Sequence, residues 1–191
     1  MPDATVIPIG GDDGARKAAS RAARQAGADA VKFQTFRARD LVVPGAPTAQ
    51  YQARQTGAQD QYAMLEALEL SEADHRAVKA HCDAIGIEFF STPFSVDAVD
   101  LLVRLGVRRI KLSSGELTHR ALVEHATRTG LPLLLSTGMA TLGEIEETIG
   151  ANGGIAGLFN KSGAVLIMSS LSDYMVSGPT FAPSLGDVPL Q

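Results

Sequence analysis

Tryptophan is absent from this chain, cysteine occurs once, and aromatic residues make up only 5% of its 191 positions. A single cysteine, Cys82, can close no intrachain disulfide, so packing rather than a covalent framework must hold the fold, and a reducing compartment is the expectation. No stretch approaches the ~18 consecutive apolar residues that a membrane-spanning helix needs. The opening MPDATVIPIG also lacks the basic segment and long apolar run of an export signal. There is no block of like charge: the net charge is −4 and the isoelectric point about 5.5, which argues against a nucleic acid or a membrane surface as the main partner. What remains, at 45% hydrophobic and 20% charged residues, is ordinary globular composition with enough chain for one domain and a sizeable core. The expected location is the cytoplasm.

Short apolar runs alternate with amphipathic helical patterns along the chain. Ala15, Ala18, Ala19, Ala22, Ala23 and Ala26 recur at helical spacing while Arg16, Lys17, Arg21 and Arg24 take other faces, and Gly27 closes that helix. Strand patterns are expected at Thr5 to Ile9, Ala30 to Gln34, Ile87 to Ser91, Arg109 to Ser113, Leu133 to Ser136 and Ala164 to Met168. The stretch from Arg37 to Leu70 is less regular, a long loop with a short helix near Tyr62 to Leu68. Ser71 with Asp74, and Thr141 with Glu144, form capping boxes that open helices; Gly86, Gly106 and Gly130 close others. About six strands separated by helices imply a parallel sheet with right-handed crossovers, either closed into a barrel or open and doubly wound. An eight-fold barrel normally needs ~250 residues, and this chain is shorter.

In parallel α/β folds the functional groups gather at the carboxyl ends of the strands. Here those ends carry ammonium and hydroxyl groups: Lys32 and Gln34; Ser91 and Thr92; Lys111 running into Ser113, Ser114 and Glu116; Ser136 and Thr137. Lysine charge with hydroxyl and backbone donors is what a phosphate needs, and Glu116 could orient a polar substrate or act as a general base. A serine or threonine at such a place often only ends a strand or caps a helix. The lysines are more telling, because an inward ammonium in a buried sheet is costly unless it is paired or meets an anion. Other candidates are weaker. The run from Gly10 to Gly14 lacks the Walker lysine and the dinucleotide spacing. His75, His81, His119 and His125 fall on helix patterns without metal-site spacing and are expected as solvated or packed helix residues. Cys82 fits a small buried helix residue.

The runs AGADAVKFQTF, LSEADHRAVKAHCDAIGIEFFSTPF and IKLSSGELTHRALVEHATRTGLPLLLSTGMATLGEIEE, in this order and spacing, resemble the N-acetylneuraminate (sialic acid) synthases, including relatives that make legionaminic and pseudaminic acids. The resemblance is close from about Ala26 to Glu147. It implies a (β/α)8 TIM-type barrel that condenses phosphoenolpyruvate with an open-chain N-acetylmannosamine-type sugar. In the family a divalent metal, Mn2+ or Mg2+, polarises the sugar aldehyde; the alkene carbon of phosphoenolpyruvate attacks it, water adds, and phosphate leaves. By motif, the resemblance makes Lys32 and Lys111 ligands of the phosphoenolpyruvate carboxylate and phosphate, with Thr92, Ser114 and Ser136 as hydroxyl donors. It makes Glu116 the acidic residue that meets the sugar, and Tyr174 a substrate contact.

The chain also departs from the family pattern. Pro8, in VIPIGGDDG, stands near a family glutamate, and Ser172-Asp173-Tyr174 keeps the tyrosine of an Asn-X-Tyr motif without its asparagine. The expectation is therefore an incomplete barrel over residues 1–174, with about six of eight strands, and a divergent tail over 175–191. Strands seven and eight with their metal-binding histidines, and the C-terminal antifreeze-like domain, are expected to be missing, so no residue here is assigned to metal. Open sheet edges favour association of copies into a homo-oligomer. The expected function is that of the synthase family, impaired in this chain; the alternatives are a non-catalytic phosphoenolpyruvate-binding remnant or one part of a split synthase.

Overall fold

A computed structural model of the chain describes residues 13–45, 60–138, 140–151 and 165–168. Its elements, in chain order, are α1 Asp13–Gln25, β1 Ala30–Thr35, α2 Ala38–Leu41, α3 Gln61–Glu66, α4 Glu72–Ile85, β2 Glu88–Pro93, α5 Val96–Leu105 and β3 Ile110–Leu112. A 3-10 turn Ser114–Glu116, α6 Arg120–Arg128, β4 Leu133–Ser136, α7 Leu142–Ala151 and β5 Val165–Met168 follow. Five of the six expected strands lie here; the stretch Thr5 to Ile9 falls outside the described residues.

Local chemistry sets the element ends. The Ser71 hydroxyl accepts from the Asp74 amide while the Asp74 carboxylate accepts from the Ser71 amide, so α4 opens with a full capping box. Thr141 and Glu144 repeat this exchange at the start of α7. At the other end of α4 and α5, Gly86 and Gly106 adopt φ of 70° and 71°, the left-handed conformation that lets the next amide turn back on the helix.

The strands are all parallel and ordered β1-β2-β3-β4-β5 in a single sheet. A doubly wound sheet reverses direction part-way along its strand order; this one never does. Sequential winding is that of a β/α barrel. One face of the sheet carries the core: Val31, Phe33, Phe89, Ile110, Leu112, Leu133 and Leu135 pack with Val78, Cys82, Val99, Leu102, Leu122 and Val123 of the helices. The Phe33 and Phe89 rings stack at 5.1 Å. Cys82 is buried within this layer, as a small core residue.

Only Ala23 of the alanine stripe of α1 is buried in the core. Ala15, Ala18, Ala22 and Ala26 are exposed, while Arg16, Ser20 and Ala23 are buried. An alanine gains little from burial, so larger neighbours one position away decide the rotation. The Arg16 stem lies inward with its guanidinium donating to the Leu68 carbonyl, and the Ser20 hydroxyl donates to Arg16 O and accepts from Cys82 Sγ.

Candidate functional site

The opposite face of the sheet carries no helix in the core cluster and is built from the alternate residues of each strand. Strand alternation places Lys32 and Gln34 of β1, Glu88, Phe90 and Thr92 of β2, Lys111 of β3, and Leu134 and Ser136 of β4 on it. Register orders them in tiers. Lys32 is level with Phe90, Gln34 with Thr92, and Lys111 with Leu134. Because Ser91 pairs with Ile110, the next tier sets Thr92 beside Lys111. One tier toward the amino ends, Arg109 closes the floor through a bidentate pair with Glu88 at 2.7 and 2.8 Å.

Both lysines are half-buried, and neither has a hydrogen-bond or ion-pair partner among the described residues. Burial lowers the Lys32 ammonium below its usual pKa. The same burial, with the charge of Lys32 as the second cause, brings Lys111 down to about 8. Thr92 is 1% exposed and its hydroxyl has no partner among the described residues. A buried hydroxyl left alone costs roughly 1–3 kcal/mol, so two adjacent tiers of this face hold two cations and one donor that find no partner among the described residues. An oxyanion would satisfy all three.

The other residues singled out from the sequence divide. Ser136 ends β4 on the lysine face, half-buried. Ser114 opens the 3-10 turn just past β3, also half-buried. Glu116 closes that turn, held in place by buried Leu117, whose carbonyl accepts from the Thr148 hydroxyl of α7. Tyr174, Pro8 and the stretch Ser172-Asp173 lie outside the described residues. Ser91 does not share the lysine face. It faces the helices, 2.8 Å from the Thr35 hydroxyl, because strand alternation can give only one of Ser91 and Thr92 to the lysines.

Three histidines, His75, His119 and His125, have partners that their helix positions did not reveal. His119 Nδ1 donates to Glu116 Oε2 at 2.8 Å, and His125 Nε2 donates to Asp100 Oδ1 at 2.7 Å across α5 and α6. A histidine three residues after Glu116, at a helix start, was the available signal for the first pair. His75 is packed, as expected, at 1% exposure. Among the described residues no group of three His, Cys, Asp or Glu side chains could hold a metal ion. Apart from the Glu88 carboxylate, which Arg109 occupies, the lysine face presents ammonium, hydroxyl and amide groups, which suit an anion better than a divalent cation. No helix among the described residues is long and apolar enough to cross a membrane.

Fold and site together define a protein of the β/α-barrel type with a cationic, hydroxyl-rich face on its sheet, opposite the helix-packed core. The chain belongs to the NeuB family, whose model matches residues 20–178. It is 42% identical over 156 residues to the N,N'-diacetyllegionaminic acid synthase of Legionella pneumophila, a match covering 81% of this chain and 41% of that protein. It is 40% identical over 128 residues to the synthase of the same name from Campylobacter jejuni, covering 66% of this chain and 38% of that one. The chain thus spans about two fifths of the length of these relatives. In structure it is similar to the N-acetylneuraminic acid (sialic acid) synthetase of Leptospira borgpetersenii, crystallised in complex with citrate. The TM-score is 0.69 at 24% identity, over 87% of this chain and 53% of that one. That likeness establishes the barrel-type fold.

Proposed function

We propose that the lysine face binds phosphoenolpyruvate, and that the chain serves a synthase condensing this enol phosphate with an open-chain N-acetylmannosamine-type sugar. The single observation that carries the reading is the shared face of Lys32, Lys111 and the unpartnered Thr92 hydroxyl. Two ammonium groups match the carboxylate and phosphate of the ligand, and Thr92, Ser114 and Ser136 supply directional donors. Family membership and the legionaminic acid synthase relatives support the same choice.

In the reaction the alkene carbon of phosphoenolpyruvate forms a bond to the aldehyde carbon of the sugar, and the aldehyde oxygen takes up a proton. Water adds to the former enol carbon, whose bond to the phosphate oxygen then breaks, leaving a ketone and inorganic phosphate. The lysines hold the phosphate as its charge grows and stabilise its departure. Glu116, at the rim beyond Lys111, orients the sugar and exchanges its proton; Tyr174 is a further substrate contact. The divalent metal that the family implies finds no ligand set among the described residues. Phosphoenolpyruvate is a multiply charged anion confined to the compartment that makes it, so the reaction belongs in the cytoplasm.

Calorimetry with phosphoenolpyruvate tests the proposal. Binding is expected, and the double variant Lys32→Ala, Lys111→Ala should abolish it; a wild-type chain that does not bind would overturn the reading. Release of inorganic phosphate on adding N-acetylmannosamine and Mn2+ separates a working synthase from a chain that binds without turnover.

A further inference from the structure

Each carboxyl-terminal strand end presents different groups to the two faces of the sheet. Toward the lysines stand Gln34 and Thr92; toward the helices stand their immediate neighbours Thr35 and Ser91. On the helix side His75 of α4 is buried, with Nδ1 2.9 Å from the Ser71 carbonyl oxygen and Nε2 2.9 Å from Thr35 Oγ1. The Thr35 hydroxyl in turn lies 2.8 Å from that of Ser91.

The first bond assigns every proton in this chain. A carbonyl only accepts, so Nδ1 carries the hydrogen; a neutral imidazole then has a bare Nε2. Thr35 must donate to Nε2, and Ser91 must donate to Thr35. Burial lowers the His75 pKa and keeps the ring neutral near pH 7. Thr35 and Ser91 are themselves buried, so without the imidazole acceptor the Thr35 proton would go unmet, at the full desolvation cost of a buried donor. The network therefore does more than fill space. It ties the start of α4 to the ends of two adjacent strands, one residue away from Gln34 and Thr92.

We propose that His75 is a positioning residue: through Thr35 and Ser91 it fixes the ends of β1 and β2 so that Gln34 and the Thr92 hydroxyl stand correctly beside the two ammonium groups. The inference takes its ligand from the anion-site reading, but its geometry is independent of it.

The test uses the full chain, with His75→Leu and His75→Gln variants, sulfate and phosphoenolpyruvate as probes, and hydrogen exchange without ligand. His75→Leu should weaken both anions about tenfold, the order expected when a binding group is displaced by a fraction of an ångström. Exchange should quicken at the ends of β1 and β2, residues 33–36 and 90–94, and not along α4 beyond its first turn. His75→Gln, whose side-chain oxygen can still accept the Thr35 proton, should recover most of the affinity. Wild-type affinity in His75→Leu would overturn the proposal, as would equal loss in both variants or faster exchange spread evenly over α4. If the wild-type chain binds neither anion, the anion-site reading fails alone, and the exchange pattern still decides whether His75 positions these strand ends. Should His75→Leu not fold, Thr35→Val and Ser91→Ala break the same chain midway and must lower affinity, or the proposal falls.

Discussion

Lys32 of β1 and Lys111 of β3 share one face of the sheet across the intervening β2, close enough that the charge of Lys32 adds to burial in bringing Lys111 down to about 8. Anion affinity should therefore fall as pH rises through about 8, because Lys111 loses its proton there. Phosphoenolpyruvate is already fully ionised in that range, so the loss reports on the protein. A bound anion favours the charged lysine, and binding near pH 8 should take up protons. Calorimetry in buffers of different ionisation enthalpy measures this uptake; constant affinity from pH 7 to 9.5 would contradict it.

Thr92→Val should move stability and binding in opposite directions. Valine keeps the shape of threonine and removes a buried hydroxyl that has no partner among the described residues, so the ligand-free chain should gain about 1 kcal/mol. Affinity for phosphate should drop because a donor is gone. Denaturant titration with and without phosphate gives both numbers, and a destabilised variant would show that the hydroxyl is already satisfied.

Acid should weaken the fold through His75. Its folded pKa is lowered by burial, with opposing help from the Ser71 backbone and the Asp74 charge, and with Arg37 and Arg16 pushing the same way as burial. The unfolded chain thus binds the proton more readily. Stability is complete above the ordinary histidine value of about 6.5 and declines as pH falls from there toward the lowered folded value. In His75→Gln this component of the slope between pH 7 and 5 should disappear, read from denaturation midpoints across that range.

Gly106→Ala tests the helix stop after α5. The residue sits at φ +71°, and a Cβ built there would meet nothing within 4 Å. The cost is backbone strain without a clash, and about 1 kcal/mol of stability should be lost, with anion affinity unchanged. A thermal melt and one titration check both halves.

The parts of this protein that were legible in its residues are those set by near neighbours. The Ser71–Asp74 box, the glycine stops and the apolar strands depend on contacts a few residues apart, and each is found where the pattern puts it. The two lysines were marked out because charge amid apolar strand neighbours is costly anywhere. The rotation of α1 was not legible: the alanine stripe spans the whole helix, but Arg16 and Ser20 find partners at Leu68 and Cys82, far away in the chain. Nor did position along the chain give His119 its carboxylate or His75 its hydroxyl chain.

Sequence alone determined the alternation of strand and helix, the ends of most elements, the motifs of the family, and which residue types could hold an anion. Tertiary structure decided which way each of them faces. Of two adjacent hydroxyls on β2, Ser91 turns to the helices and Thr92 to the lysines. The order of five strands without reversal makes the sheet a barrel type and not a doubly wound one. The physical reason is the same in both cases: capping and periodicity act over one or two turns of chain, whereas register, strand order and burial are fixed only when segments distant in sequence compete for the same partners.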